Sequence, residues 1–236
     1  MTAPLTDIDY MKLALAEARK GLGRTSPNPC VGAVIVRDGE IIATGYHKKA
    51  GTPHAEVHAL REAGNKAEGA TLYVTLEPCC HTGKTPPCSH AVVNAGIDKV
   101  VIGMLDPNPL VDGGGKKYLQ EHGIKVVDGV LDDECRLLNE PFIHYITTKK
   151  PFVTLKAGVS LDGKLSYQKG KSGWITGPES SQRVHELRNE YDVIMVGRNT
   201  IDIDNPSLTT RLQNEDGRDP LRAILDTDLT SSPDAR

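Results

Sequence analysis

Residues 78–88 read Pro78-Cys79-Cys80-His81-Thr82-Gly83-Lys84-Thr85-Pro86-Pro87-Cys88, and how this stretch is read decides the fold. It follows Thr71 to Leu76, a short β-branched run of strand character, and precedes a helical pattern from Ser89 to Ala95. Upstream, His54-Ala55-Glu56 opens a second helical pattern, Ala55 to Ala63, that stops at Gly64-Asn65. Residues two apart on a regular helix point to nearly opposite sides. His54 and Glu56 can therefore face one point only if His54 sits before regular geometry begins. Pro53 fits that placement, because Pro is tolerated at a first turn. Pro78 plays the same part before Cys79. The pattern predicts two helix N-termini meeting at the carboxyl edge of a sheet, where the macrodipole and free N–H groups favour a thiolate.

One imidazole and two thiolates, from His54, Cys79 and Cys88, are borderline-soft donors of the kind zinc prefers. Three protein ligands leave one position open, as expected of a catalytic zinc. Two thiolates neutralise the ion, so it acidifies water less than three neutral histidines would. A nearby base is then needed, and Glu56 is the candidate. The order of an H-x-E segment, a P-C pair and a further Cys is similar to that of the zinc deaminases, in which the Glu is not a ligand. Here the second Cys comes nine positions after the first instead of three. Two blander readings compete. The thiols could be buried packing groups, or the site could be a closed structural one with Cys80 or His81 as fourth ligand. Cys30 and Cys135 are assigned to packing.

Working outward, the first ~150 residues alternate strand and helix, the pattern of a layered α/β domain. A helix is predicted over Ile8 to Leu22. Strands Val31 to Val36 and Glu40 to Tyr46 flank the hairpin signal Asp38-Gly39. Short strands at Val100 to Gly103 and Lys125 to Val127 alternate with helices at Lys116 to His122 and Asp132 to Tyr145. Gly113-Gly114-Gly115 lacks the G-x-G-x-x-G spacing and reads as a flexible loop before a helix. The pattern resets around Thr147-Thr148-Lys149-Lys150-Pro151, giving domains 1–149 and 150–236. The second domain starts with a strand at Phe152 to Ala157. A helix at Glu179 to Glu190 and strands at Val193 to Val196 and Arg222 to Leu225 follow, a thin sheet with an unfinished edge.

The 236 residues carry a net charge of −3 and five cysteines. That balance gives no bulk attraction to nucleic acid or anionic membrane. No apolar stretch approaches the ~20 residues needed to span a bilayer, and no basic-then-apolar leader opens the chain. A cytoplasmic location, with no nucleic-acid or membrane partner, is expected. Odd cysteine usage suits thiols or metal ligands better than a disulfide framework.

Several further segments carry a resemblance: Thr25-Ser-Pro-Asn28-Pro-Cys-Val-Gly32, Gly45-Tyr-His47, His54-Ala-Glu56, the 78–88 stretch and Asp106-Pro-Asn108-Pro. Downstream, so do Lys156-Ala-Gly-Val-Ser-Leu-Asp162-Gly-Lys, Ser172-Gly-Trp174-Ile-Thr-Gly and Asp204-Asn-Pro-Ser-Leu208-Thr-Thr-Arg211. Together they resemble the deaminase–reductase family of riboflavin biosynthesis, over nearly the whole chain. The resemblance also accounts for the wide cysteine spacing. It implies a three-layer, cytidine-deaminase-like domain followed by an incomplete dihydrofolate-reductase-like α/β domain. The implied substrate is a diaminopyrimidine bearing a phosphoribosylamino group; it is deaminated with Zn²⁺, then reduced from ribosyl to ribityl with NADPH.

By the same resemblance, His54, Cys79 and Cys88 hold zinc and Glu56 shuttles protons. Asn28 and His47 hold the pyrimidine and its ribosyl arm, and His81, Lys84 and Asn108 line the phosphate end. In the second domain Gly158, Trp174, Thr200 and Asp204 meet the NADPH/NADP⁺ nucleotide, while Ser172, Arg188, Leu208 and Arg211 meet the substrate. Trp174 could equally be simple core, and Arg188 an exposed helix charge. The family's reductase domain runs past residue 236, so deamination is expected at this length, with weak or no NADPH oxidation. A homo-oligomer is compatible, since a thin second sheet would gain from a partner surface. An RNA-acting deaminase should show a basic face, which is not evident.

Overall fold

The computed structural model describes residues 4–80, 86–108, 111, 113–171, 173–213 and 217–236. The chain divides into two compact units, Met1–Phe152 and Val153–Arg236.

Unit 1 is built on five strands, β1 (Gly32–Arg37), β2 (Glu40–Tyr46), β3 (Thr71–Leu76), β4 (Lys99–Met104) and β5 (Lys125–Asp128). Their spatial order is β2-β1-β3-β4-β5. β1 runs antiparallel to both β2 and β3, while β3, β4 and β5 are parallel. The hairpin at Asp38-Gly39 forms as its residues demand, with both at positive φ. Along β1, β3 and β4 nearly every residue is buried at both odd and even positions. Both faces of the sheet are therefore covered, as continuous β-branched runs require.

Glycines show which helix covers which face. A side chain at Gly32 would collide with the backbone of Ala14 and Ala18 in α1 (Asp7–Arg19); one at Gly45 would collide with Ala55 and Ala59 in α2 (Ala55–Ala63). Gly45 lies opposite Ala33, and Gly32 opposite Tyr46, so the two glycines face opposite sides. Thus α1 and α2 occupy different layers. Gly103 of β4 is closed off by Cys135 Sγ of α5 (Asp132–Leu138). Register puts Gly103 and Gly32 on one face, because Ala33 pairs with Val74 and Val74 with Ile102. α5 therefore shares the layer of α1. α3 (Cys88–Asn94) packs on α2, and α4 (Gly114–Glu121) on α3, in the other layer. The result is three layers around one core that includes Met11, Ile35, Leu72, Val100, Ile102 and Met104.

Two expectations change here. The helix read over Asp132 to Tyr145 is two, α5 and α6 (Glu140–Thr148), broken at Asn139. Asn139 is 2% exposed, and its side-chain amide accepts from Cys30 N at 2.8 Å and donates to Cys30 O at 3.0 Å. Helical periodicity does not reveal a break imposed by a clamp to a residue far away in sequence. Gly114 and Gly115 lie inside α4 and are not loop, because the helix start packs directly on residues 78–80.

Unit 2 contains α7 (Pro178–Glu190), β6 (Val193–Gly197), α8 (Arg198–Asp204) and β7 (Leu221–Leu225), with β6 and β7 parallel. The strand expected at 152–157 does not form: these residues belong to no helix or strand, and Val153 and Leu155 are 82% and 94% exposed. A β-branched run becomes a strand only where a neighbour takes its N–H and C=O groups. Among the described residues, the buried apolar side chains of unit 2 include Ile201 and Leu208. No helix among those residues is long and apolar enough to cross a membrane.

Candidate functional site

His54 is the N-cap of α2, in extended conformation, with no capping bond from its ring. Its imidazole is thus free of the helix, which lets it meet a side chain two residues on. Cys79 leaves the end of β3, and Cys88 is the first residue of α3. The ligand atoms of His54, Cys79 and Cys88 all lie within 4.8 Å of one another. His54 Nδ1 is 3.1 Å from Cys88 Sγ and 3.7 Å from Cys79 Sγ. Tetrahedral zinc with Zn–N and Zn–S bonds of ordinary length sets N and S about 3.6 Å apart, so the trio is spaced for such an ion.

α3 starts at Cys88 and not near Cys79, which differs from the expected geometry. Cys79 still profits from a helix start, since the backbone N–H of Cys88 donates to its sulfur at 3.3 Å. Cys80, weighed as a fourth ligand, lies outside the cluster and packs toward Gly114, whose added Cβ would be 2.7 Å from its sulfur. His81, the other such candidate, lies outside the described residues, as do Lys84 and Ser172.

The electrostatics of the trio suit a cation. The Cys88 thiol donating to Cys79 holds the Cys79 sulfur far below the ordinary thiol range, against the opposing effect of burial. The same donation, then burial, holds Cys88 far above it. Metal binding by such thiols requires their deprotonation. The bond to Cys79 also lifts His54, although burial opposes it. Glu56 is 3% exposed, one of its oxygens has no hydrogen-bond partner, and burial pushes its carboxyl up to about 7. A buried carboxyl oxygen without a donor costs free energy unless a ligand completes it. These observations fit a metal held by three side chains with a proton carrier beside it.

Asn28 and His47 meet at 3.1 Å, Asn28 Nδ2 to His47 Nε2. His47 Nδ1 lies 3.2 Å from Pro53 O, which can only accept, so Nδ1 carries the hydrogen and Nε2 accepts from Asn28. His47 is 2% exposed and edge-on to His54. Its ring is therefore spent on Pro53 and Asn28. Asn108, half-buried, donates its backbone N–H to Asp106 Oδ1 at 2.9 Å.

Unit 2 gathers some of its candidates and leaves others apart. Arg188 on α7 donates to Thr209 O at 3.0 Å, and its buried Nε has no partner. Burial, then the nearby Arg211, lowers its pKa. Arg188 is thus no exposed helix charge. Arg211 donates to Thr209 Oγ1 at 2.7 Å, and Leu208 beside it is buried at positive φ. His185, which sequence reasoning passed over, accepts the backbone N–H of Arg211 at 3.2 Å; its one signal is its place a turn before Arg188 on the same helix. Trp174 is 71% exposed, not core. Thr200 and Asp204 lie on α8, and Gly158 sits against Thr176.

A three-layer sheet with a His-Cys-Cys cluster beside a buried Glu is the plan of the zinc-dependent nucleobase deaminases. Consistent with it, residues 5–104 match the cytidine and deoxycytidylate deaminase zinc-binding region, and residues 151–236 match the RibD C-terminal domain. The chain is 49% identical to riboflavin biosynthesis protein RibD of Actinobacillus pleuropneumoniae over 98% of its own length and 61% of that protein. It is 53% identical to RibD of Aquifex aeolicus, over 94% of this chain and 62% of that one. The solved structure of a diaminohydroxyphosphoribosylaminopyrimidine deaminase/5-amino-6-(5-phosphoribosylamino)uracil reductase from Thermotoga maritima matches with a TM-score of 0.90 at 50% identity. It covers 96% of this chain and 65% of that one. The chain is thus similar to RibD proteins over nearly all of its own length. It spans about three-fifths of the length of the curated relatives it matches.

Proposed function

We propose that the chain catalyses hydrolytic deamination of 2,5-diamino-6-(5-phosphoribosylamino)pyrimidin-4(3H)-one to 5-amino-6-(5-phosphoribosylamino)uracil, as a zinc enzyme of riboflavin biosynthesis. One observation carries the reading: three ligand atoms within 4.8 Å of one another beside a buried carboxyl with an unpartnered oxygen. Bound there, zinc would supply Lewis-acid activation of water. His54, Cys79 and Cys88 would hold it. Glu56 takes a proton from the attacking water and delivers it to the ring nitrogen, then helps protonate the departing amine. Water adds at the amine-bearing carbon, the C–N bond breaks, and ammonia leaves.

Asn28, held by its amide nitrogen on His47, keeps Oδ1 for the substrate, so His47 acts through Asn28. His81, Lys84 and Asn108 are proposed for the phosphate end; a lysine suits a dianionic phosphate as a point charge on a flexible stem.

For the second half of the reaction, Gly158, Trp174, Thr200 and Asp204 are proposed to meet NADPH, which would supply a hydride for reduction of ribosyl to ribityl. Ser172, Arg188, Leu208 and Arg211 are proposed to meet the substrate, and the two converging guanidinium groups support an anionic ligand. Boundaries near residues 149 and 150 separate the two activities. Small polar substrates and a net charge of −3 support a cytoplasmic enzyme without a nucleic-acid or membrane partner.

The test is incubation of the purified chain with the phosphoribosylamino diaminopyrimidine, following ammonia release with and without NADPH. Zinc-dependent ammonia release is expected in both cases; none in either would overturn the reading.

A further inference from the structure

Just past the end of β3 (Thr71–Leu76), two residues before Cys79, stands Glu77. Glu77 is 3% exposed. Its backbone N–H donates to Met104 O at 3.0 Å, extending the β3–β4 pairing by one step. Its carboxylate then reaches past the sheet: Oε2 accepts Asp106 N at 3.2 Å, and Oε1 accepts Lys116 N, in the first turn of α4, at 2.9 Å. Asp106 in turn accepts Asn108 N at 2.9 Å. The glycines of α4 allow this join to close. A Cβ at Gly115 would collide with Pro78 O and lie 3.3 Å from Glu77 Cγ.

We propose that Glu77 is a positioning residue for the deamination site. Its carboxylate locks the Asp106–Asn108 turn and the start of α4 onto the segment just past β3 that carries Cys79, and so fixes the separation between the metal ligands and Asn108. The inference rests on the reading of Asn108 as a substrate contact. Two N–H groups converge on the carboxylate, one on each oxygen. A carboxylate accepts at both ends, whereas an amide offers one acceptor and would turn an NH₂ toward the second N–H. Glutamine, of nearly the same shape, is therefore a poor substitute, and a buried N–H is left unpaired.

The test compares the wild-type chain with Glu77→Gln, Asn108→Ala and the double variant, measuring zinc content and steady-state ammonia release from the phosphoribosylamino diaminopyrimidine. Glu77→Gln is expected to keep one zinc per chain, raise KM about tenfold and change kcat by less than about threefold, as for lost uniform binding. Asn108→Ala should do the same, and the double variant should be no worse than either single one, because the two residues act in series. Should Glu77→Gln fail to fold, Asp106→Ala cuts the same chain one link later, at a half-buried position, and the same split is expected. Multiplying effects of Glu77→Gln and Asn108→Ala, or an unchanged KM in Glu77→Gln or in Asp106→Ala, would overturn the proposal. A wild-type chain that releases no ammonia would instead overturn the functional reading beneath it.

Discussion

In unit 1, β1, β3 and β4 are buried on both faces, and the side chains around the zinc candidates are held from several directions. In unit 2, the paired strands β6 and β7 lie open, with Met195 59% and Leu221 74% exposed. The same contrast holds for the candidate residues. Glu56 and Cys88 are 3% and 1% exposed, whereas Trp174 is 71% exposed. Hydrogen bonds in a dry, packed surround hold a group to one geometry; an exposed side chain must be ordered by its ligand at an entropic cost. Unit 1 can therefore present its chemistry ready-made, and unit 2 as described presents chiefly the Arg188–Arg211 corner in that way.

The widest separation between the units is expected in turnover. Glu56→Gln should lower ammonia release by about 10²–10⁴-fold, the range for loss of a general acid–base, with zinc still bound. Arg211→Ala should leave ammonia release unchanged. Comparable losses in both variants would break the assignment of deamination to unit 1.

Stability should follow the same divide. Leu72→Ala, at a site with no exposure, should cost about 2–5 kcal/mol in denaturant titration. Leu155→Ala, at a site 94% exposed, should stay within about 0.5 kcal/mol of wild type. Equal costs would mean that unit 2 is as tightly packed as unit 1.

A smaller effect should appear in acid. Burial raises the Asp7 carboxyl, but the Tyr73 hydroxyl and the Lys99 ammonium outweigh it and leave the pKa below the ordinary carboxylate value. Its folded-state pKa is thus the lower one. The stabilisation is full above the unfolded value of about 3.9 and is lost as pH falls through the folded value. Asp7 ties α1 to β3 and β4 through Tyr73 and Lys99, at 2.6 and 2.9 Å. The site is partly exposed, so screening should leave only about 0.3 kcal/mol. Asp7→Asn should remove that part of the acid dependence of unfolding and change little below pH 3; a difference as large there as at pH 7 would contradict the assignment.

Much of unit 1 was legible because its signals are local. Asp38-Gly39 announces a hairpin, Thr71 to Leu76 a buried strand, and His54, Cys79 and Cys88 three side chains that the structure brings within 4.8 Å of one another. What escaped depends on partners distant in sequence. Glu77 looks like one more charge after a strand until Asp106 N and Lys116 N are seen to converge on it. The triple glycine looks flexible until residues 78–80 are found against it. Asn139 interrupts a helical period for the sake of Cys30. The run at 152–157, where unit 2 begins, has the residues of a strand without a neighbour, and pattern alone does not supply one.

X-ray absorption at the zinc edge of the purified, metal-loaded chain tests the central claim most directly. One zinc bound by two sulfurs, one imidazole nitrogen and one light atom from solvent is expected, with the sulfur signal weakened in Cys88→Ser. A third sulfur or a second imidazole in the coordination sphere would mark a closed structural site and contradict it.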